Sequence, residues 1–143
     1  MNILRTAFAL LVITVAVTAC APPPAPLALE KTSWRLKSLT RDGATITLVS
    51  GREPTLTFTD ATTASGNTGC NGYGGSYVIS GDTISFDGIA STMMACEGIM
   101  EQETQFTSAL PQKPNTLLIK RDGEDLTLRS ADGSTLLTFV AVP

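Results

Sequence analysis

The chain has 143 residues, 43% of them hydrophobic and 16% charged, which suits one packed domain and leaves no length for a second, catalytic one. The net charge of −3 argues against nucleic acid as a partner. There is no histidine, which excludes Ser-His-Asp and Cys-His catalysis, imidazole metal ligands and a histidine pH switch.

The N-terminal residues read as an address. Arg5 is the single charge before Cys20, and Ala7 to Val17 form an apolar run broken only by Thr14. A membrane-spanning helix needs roughly 20 apolar residues, so this shorter run reads as a signal peptide over residues 1–20. It ends in Val17-Thr18-Ala19-Cys20, a branched residue and two small ones before a cysteine, which resembles the lipobox of bacterial lipoproteins. On that reading Cys20 becomes the mature N-terminus and receives lipid, palmitate among its acyl chains, which holds the protein on a membrane. The alternative is an ordinary secretory signal with a cysteine near its end. Ala21 stands where an aspartate would favour inner-membrane retention, so a diderm host would place the protein on the periplasmic face of the outer membrane. Residues 21–28, with Pro22, Pro23, Pro24 and Pro26, form an extended tether before a domain over residues 29–143.

From Ser33 onward the dominant signal has period two. Trp34 and Leu36 alternate with Arg35 and Lys37, Ile46 and Leu48 with Thr45 and Thr47, and Leu56 and Phe58 with threonines. The pattern returns at Tyr77 and Ile79, Ile84 and Phe86, Leu117 and Ile119, Leu126 and Leu128, and Leu137 and Phe139. Asp42-Gly43, Gly81-Asp82, Asp122-Gly123 and Asp132-Gly133 supply turn residues that tolerate positive φ. About eight short strands with one apolar face each predict a mainly β fold. A closed antiparallel barrel is preferred to a sandwich because closure removes exposed edges.

The glycine-rich stretch from Gly66 to Gly75 lacks the following helix and the lysine of a phosphate loop, so its glycines read as a tight bend with close backbone approach. Glu97 to Leu110 breaks the β pattern and predicts one helix, ended by Pro111, with an inward stripe of Ile99, Glu103, Phe106 and Leu110. Glu97 and Glu101 share a face of it as solvated charges. A glutamate within an apolar stripe needs donors, from backbone amides or from hydroxyls near Thr92. Glu103 is then a structural clamp; a proton-transfer or ligand role, or a different helix phase that leaves it solvated, are the alternatives.

Three cysteines in an exported chain leave Cys70 and Cys96 once Cys20 is assigned to lipid. In an oxidising compartment the remaining two read first as a structural disulfide. A metal-binding or redox pair is the rival, with Met93, Met94 and Met100 nearby, but there is no C-x-x-C spacing and no histidine to complete a site. Methionine in the core is the plainer reading; no metal and no cofactor is expected.

The string Gly69-Cys70-Asn71-Gly72-Tyr73-Gly74-Gly75-Ser76-Tyr77, then Gly81-Asp82-Thr83-Ile84-Ser85-Phe86 and Ile89 to Cys96, resembles the META (HslJ-like) domain. The resemblance runs from Trp34 and Leu36 through Glu103, Phe106 and Leu110 to Leu137-Thr138-Phe139. It implies a lipocalin-like barrel carrying one helix, in bacterial envelope lipoproteins, with links to stress and antibiotic tolerance and with no enzyme activity. Cys70, Asn71, Tyr73, Tyr77, Thr92, Cys96 and Glu103 sit at the family's motif positions. The expected function is a monomeric, non-enzymatic envelope lipoprotein that binds another envelope protein through an exposed motif loop at Asn71, Gly72, Tyr73, Gly74 and Tyr77. Alternatives are a carrier of a small apolar ligand inside the barrel, or an inhibitor of a lysozyme or protease.

Overall fold

The alternation of apolar and polar residues becomes a ring of strands in the computed structural model, which describes residues 27–143. The signal peptide, Cys20 and the tether up to residue 26 lie outside the described residues. In chain order the elements are β1 (Thr32–Arg41), β2 (Ala44–Thr45), β3 (Thr55–Phe58), β4 (Thr63–Asn67), β5 (Gly72–Ser80), β6 (Thr83–Ser91), α1 (Met100–Ala109), β7 (Leu117–Asp122), β8 (Asp125–Arg129) and β9 (Thr135–Val142). Each of β3 to β9 pairs antiparallel with the next, and β1 closes the ring between β3 and β9. The two-residue β2 only extends the β3 side of β1, at Thr40 and Arg41. The expected closed antiparallel barrel with one helix is the fold observed.

Inward residues fill the ring. Trp34, Leu36, Leu56, Phe58, Ile84, Phe86, Leu126, Leu128, Leu137 and Phe139 are fully buried. Edge-to-face contacts join Phe58 to Tyr77 at 4.9 Å, Tyr73 to Phe106 at 5.7 Å and Phe106 to Phe139 at 6.5 Å. Barrels of about eight strands are narrow enough to be filled by side chains in this way. On β1 the strict alternation fails, since Leu36 and Leu39 are both buried three residues apart. A bulge at Lys37 accounts for this: Leu36 and Ser38 face consecutive residues of β9, so the extra residue resets the phase and returns Leu39 to the interior.

The helix crosses one end of the barrel. Phe106 drops from it into the core, Ser108 accepts from Arg41 Nη1 at 2.6 Å, and Gln102 reaches the segment entering β3. At the opposite end Leu29 is buried, and the Arg121 guanidinium lies 5.2 Å over the Trp34 ring while donating to the Ala28 carbonyl. The described residues therefore begin at the end of the barrel remote from the helix.

Three expectations need correction. The strand around Ile46 and Leu48 is not formed; only Ala44–Thr45 pair with β1, and both hydrophobics instead pack from a loop onto the core. Its backbone is held by a helix side chain in place of a ladder: Val49 N donates to Gln102 Oε1 at 2.7 Å and Gln102 Nε2 to the Arg52 carbonyl at 2.7 Å. The helix begins at Met100 rather than Glu97, because Gly98 has φ +74° and Cys96 to Ile99 form a turn. Its buried residues are Gln102, Phe106 and Ala109, which rotates Glu103 to the flank of the inward face.

Candidate functional site

The site is built where the β4–β5 hairpin, the segment after β6 and the first turns of α1 meet. Thr68 N and the Asn71 carbonyl close the hairpin at 2.8 Å, with Gly69 at φ +99° inside it. No larger residue fits there, since a Cβ on Gly69 would lie 2.3 Å from the Arg52 carbonyl oxygen. The turn places Cys70 against Cys96, and the two are joined by a disulfide with Cα atoms 5.9 Å apart.

Asn71 is fully buried and satisfied on every side. Its Oδ1 accepts from Met94 N at 2.7 Å and from Thr92 Oγ1 at 2.8 Å, and its Nδ2 donates to the Met94 carbonyl at 3.0 Å. The amide thus pairs with the Met94 backbone as a neighbouring strand would, and only this orientation of the amide satisfies both contacts. Nδ2 also donates to both Glu103 carboxylate oxygens, at 2.9 Å each. The carboxylate further accepts from Asn71 N at 3.3 Å and from the Thr68 hydroxyl.

Burial alone would raise the Glu103 carboxyl, but the donated bonds from Thr68, the Asn71 side chain and the Asn71 backbone outweigh it and hold the group below its ordinary range. Glu103 therefore stays ionised at neutral pH and has no proton to give. Thr92 was expected beside Glu103; it lies one bond further out, holding Asn71 instead.

The residues expected as an exposed motif loop are not one. Gly72, Tyr73, Gly74 and Tyr77 belong to β5, and Asn71, Tyr73 and Tyr77 are buried. Tyr73 donates to the Thr55 carbonyl at 2.6 Å and Tyr77 to the Asp60 carbonyl at 2.8 Å, which lets both hydroxyls enter the interior. Burial pushes both phenols upward, with the charges of Glu30 and Asp60 adding to the effect on Tyr77. What is exposed is the neighbouring segment: Met93, Met94 and Met100 are 96%, 55% and 40% accessible.

Two residues of the cluster were not singled out from sequence. Thr68 accepts from Asn71 N at 2.9 Å while donating to Glu103, and buried Gln102 ties α1 to the Thr68 carbonyl at 3.0 Å as well as to Val49 and Arg52. Their only signal is adjacency, Thr68 before the Gly69 motif and Gln102 before Glu103. No buried side-chain nitrogen or oxygen lacks a partner among the described residues.

A closed, side-chain-filled antiparallel barrel, capped by one helix that an asparagine–glutamate pair locks to a disulfide-bonded hairpin, defines a small β-barrel domain. The META domain family model matches residues 27–143, and the chain belongs to that family. A solved NMR structure of a protein from Burkholderia xenovorans is 28% identical, with TM-score 0.66, covering 91% of this chain and 99% of that one. A second NMR structure, 21% identical with TM-score 0.59, covers 78% of this chain and 90% of its own and shares the fold. Among curated proteins no match is found.

Proposed function

We propose that this protein is a lipid-anchored module of the bacterial cell envelope that binds an envelope protein and catalyses no reaction. The observation that carries the reading is the state of Glu103, the group with the most chemical potential in the domain. Both its oxygens are committed to donors from its own chain, and a carboxyl held below its ordinary range is a poor base and no acid near neutral pH. Asn71, which Glu103 holds, in turn grips the Met94 backbone beneath exposed methionines. Polarisable thioethers on a pinned segment suit adaptable contact with a partner. Envelope attachment is supported by Val17-Thr18-Ala19-Cys20 and the proline-rich residues that follow, which end where the family match begins. The resemblance adds a protective role under stress, on the periplasmic face of the outer membrane.

The test has two parts. Mass spectrometry of the envelope-purified protein should show an acylated cysteine at position 20, and Cys20→Ala should release the protein to the soluble fraction; an unmodified, soluble wild-type chain overturns the anchor. A photocrosslinking residue at position 93 should capture one discrete envelope protein in living cells, and Met94→Asp should abolish the capture. Failure of capture from position 93, with capture from the opposite barrel end, would overturn the assigned face.

A further inference from the structure

A second feature lies on the outer wall, away from the helix. Strands β7, β8 and β9 present a shallow pocket of about 320 Å³ whose lining includes Leu118, Lys120, Thr127, Arg129, Leu136 and, from the β5–β6 turn, Asp82. The strand register explains the chemistry. Leu118 faces Arg129 across β7 and β8, and Arg129 faces Leu136 across β8 and β9, so one rung of the wall reads leucine, arginine, leucine. Lys120 faces Thr127 on the same side of the sheet, two residues from Arg129 along β8. Diagonal neighbours of this kind stand about 7–8 Å apart, close enough for both cations to reach one small anion.

Neither cation is held in a close ion pair. Arg129 makes no ion pair among the described residues, and Lys120 has only a 3.9 Å contact with Asp122 in which both groups are largely exposed. Such exposed pairs contribute little and exchange readily. The floor between the cations is apolar, since Leu118 and Leu136 are half-buried at outward positions of the sheet. The volume sits at the low end of ligand pockets, which fits a short chain and not a whole phospholipid. The lining also holds the Asp82 carboxylate, so its two cations exceed its acids by one, which suits a single negative charge.

We infer that this wall is a binding site for a small monoanionic amphiphile, a medium-chain carboxylate whose head is held by Lys120 and Arg129 and whose chain lies on Leu118 and Leu136. The site is separate from the interior, where side chains leave the barrel filled, and it does not depend on how the chain is anchored. Charge-assisted bonds would fix the head and apolar burial the chain.

The test is a titration of the mature chain, carrying Cys20→Ser for solubility, with decanoate, followed by amide NMR. Saturable shifts confined to Leu118, Lys120, Arg129, Leu136 and their neighbours are expected, with acetate failing for lack of a chain and decyltrimethylammonium failing for its charge. Lys120→Gln combined with Arg129→Gln, both at exposed positions, should weaken binding about tenfold or more. Equal shifts with the cationic amphiphile, or decanoate shifts unaltered in the double variant, would overturn the site. Binding to phosphatidylglycerol vesicles without saturable decanoate binding would overturn it in favour of a lipid surface.

Discussion

Asn71 Nδ2 stands 2.9 Å from each oxygen of Glu103, and the two residues belong to different elements, the β4–β5 hairpin and α1. Through that pair the helix is tied to the same asparagine that grips the Met94 backbone. Replacing Glu103 separates hydrogen bonding from hydrophobic fit. Glu103→Gln keeps an acceptor for the Asn71 amide, and Thr68 can turn its hydroxyl to the Asn71 carbonyl, 3.1 Å away. A loss of about 1–2 kcal/mol is expected in chemical denaturation. Glu103→Leu leaves one hydrogen of the buried Asn71 amide with no acceptor and should lose about 3 kcal/mol. Equal losses would mean that the charge, and not the bonding, is what matters.

Cys70 and Cys96 close a loop with a sequence separation of 26, and this cross-link restricts the unfolded chain. Cys70→Ser with Cys96→Ser should cost about 3.5 kcal/mol and lower the melting temperature correspondingly. Amide exchange should rise around Ala95 to Ile99, while Met94 N, bonded at 2.7 Å to Asn71 Oδ1, keeps its protection. Unchanged melting and exchange would show that the asparagine alone anchors the segment.

How far the sequence reaches is clearest at β4 and β5. Strands with large inward residues, such as Leu56 and Phe58 or Leu126 and Leu128, announce themselves by alternation. β4 reads Thr-Ala-Ser-Gly-Asn and turns only Ala64 fully inward, so its pattern carries no apolar signal. Its small residues answer a tertiary demand, for a Cβ on Gly66 would lie 2.0 Å from the Thr55 carbonyl oxygen and 2.7 Å from the Tyr73 hydroxyl. The glycines of β5 make that strand look like a loop, although of them only Gly75 is crowded, a Cβ there lying 2.9 Å from the Asp87 carbonyl oxygen. At the site, Glu103 was legible because a charge in an apolar stripe demands donors. Its actual donors were not, since Thr68 and Asn71 reach it only through the hairpin's three-dimensional path. Likewise Gln102 replaces a missing ladder for the segment before β3, a role that no periodicity encodes.

Stability should fall at both ends of the pH scale, for different residues. Glu103 has a folded carboxyl below the ordinary 4.5, so the unfolded chain takes up its proton first as pH drops. The stabilisation is present above 4.5 and is lost as pH falls through the folded value. Glu103→Gln should flatten that acid limb. Tyr73 has a phenol raised above the ordinary 10.0 by burial, so its contribution is present below pH 10 and is lost as alkali ionises the unfolded chain preferentially. Tyr73→Phe should flatten the alkaline limb, and denaturation curves taken across the pH range would show whether each limb follows its residue.

The sharpest prediction turns on the atom that touches both carboxylate oxygens. Asn71→Asp changes no heavy-atom shape, yet it replaces a buried amide donor with an oxygen facing Glu103 at the 2.9 Å now bridged by hydrogen bonds. Two carboxylates at that distance cannot both ionise, so one proton must be taken up or the helix must lift from the hairpin. The bond from Nδ2 to the Met94 carbonyl is lost at the same time, which frees the segment bearing Met93 and Met94. At neutral pH the variant should be destabilised by about 3–5 kcal/mol, as for a buried charge left without its partner. Adding Glu103→Gln should restore part of that loss, because the glutamine amide can donate to the new carboxylate. The coupling in the double-mutant cycle should be about 1–3 kcal/mol in favour of the pair. Additive losses would mean that Asn71 and Glu103 act on separate elements, and that the helix is held to the barrel by its other contacts, those of Gln102, Phe106 and Ser108.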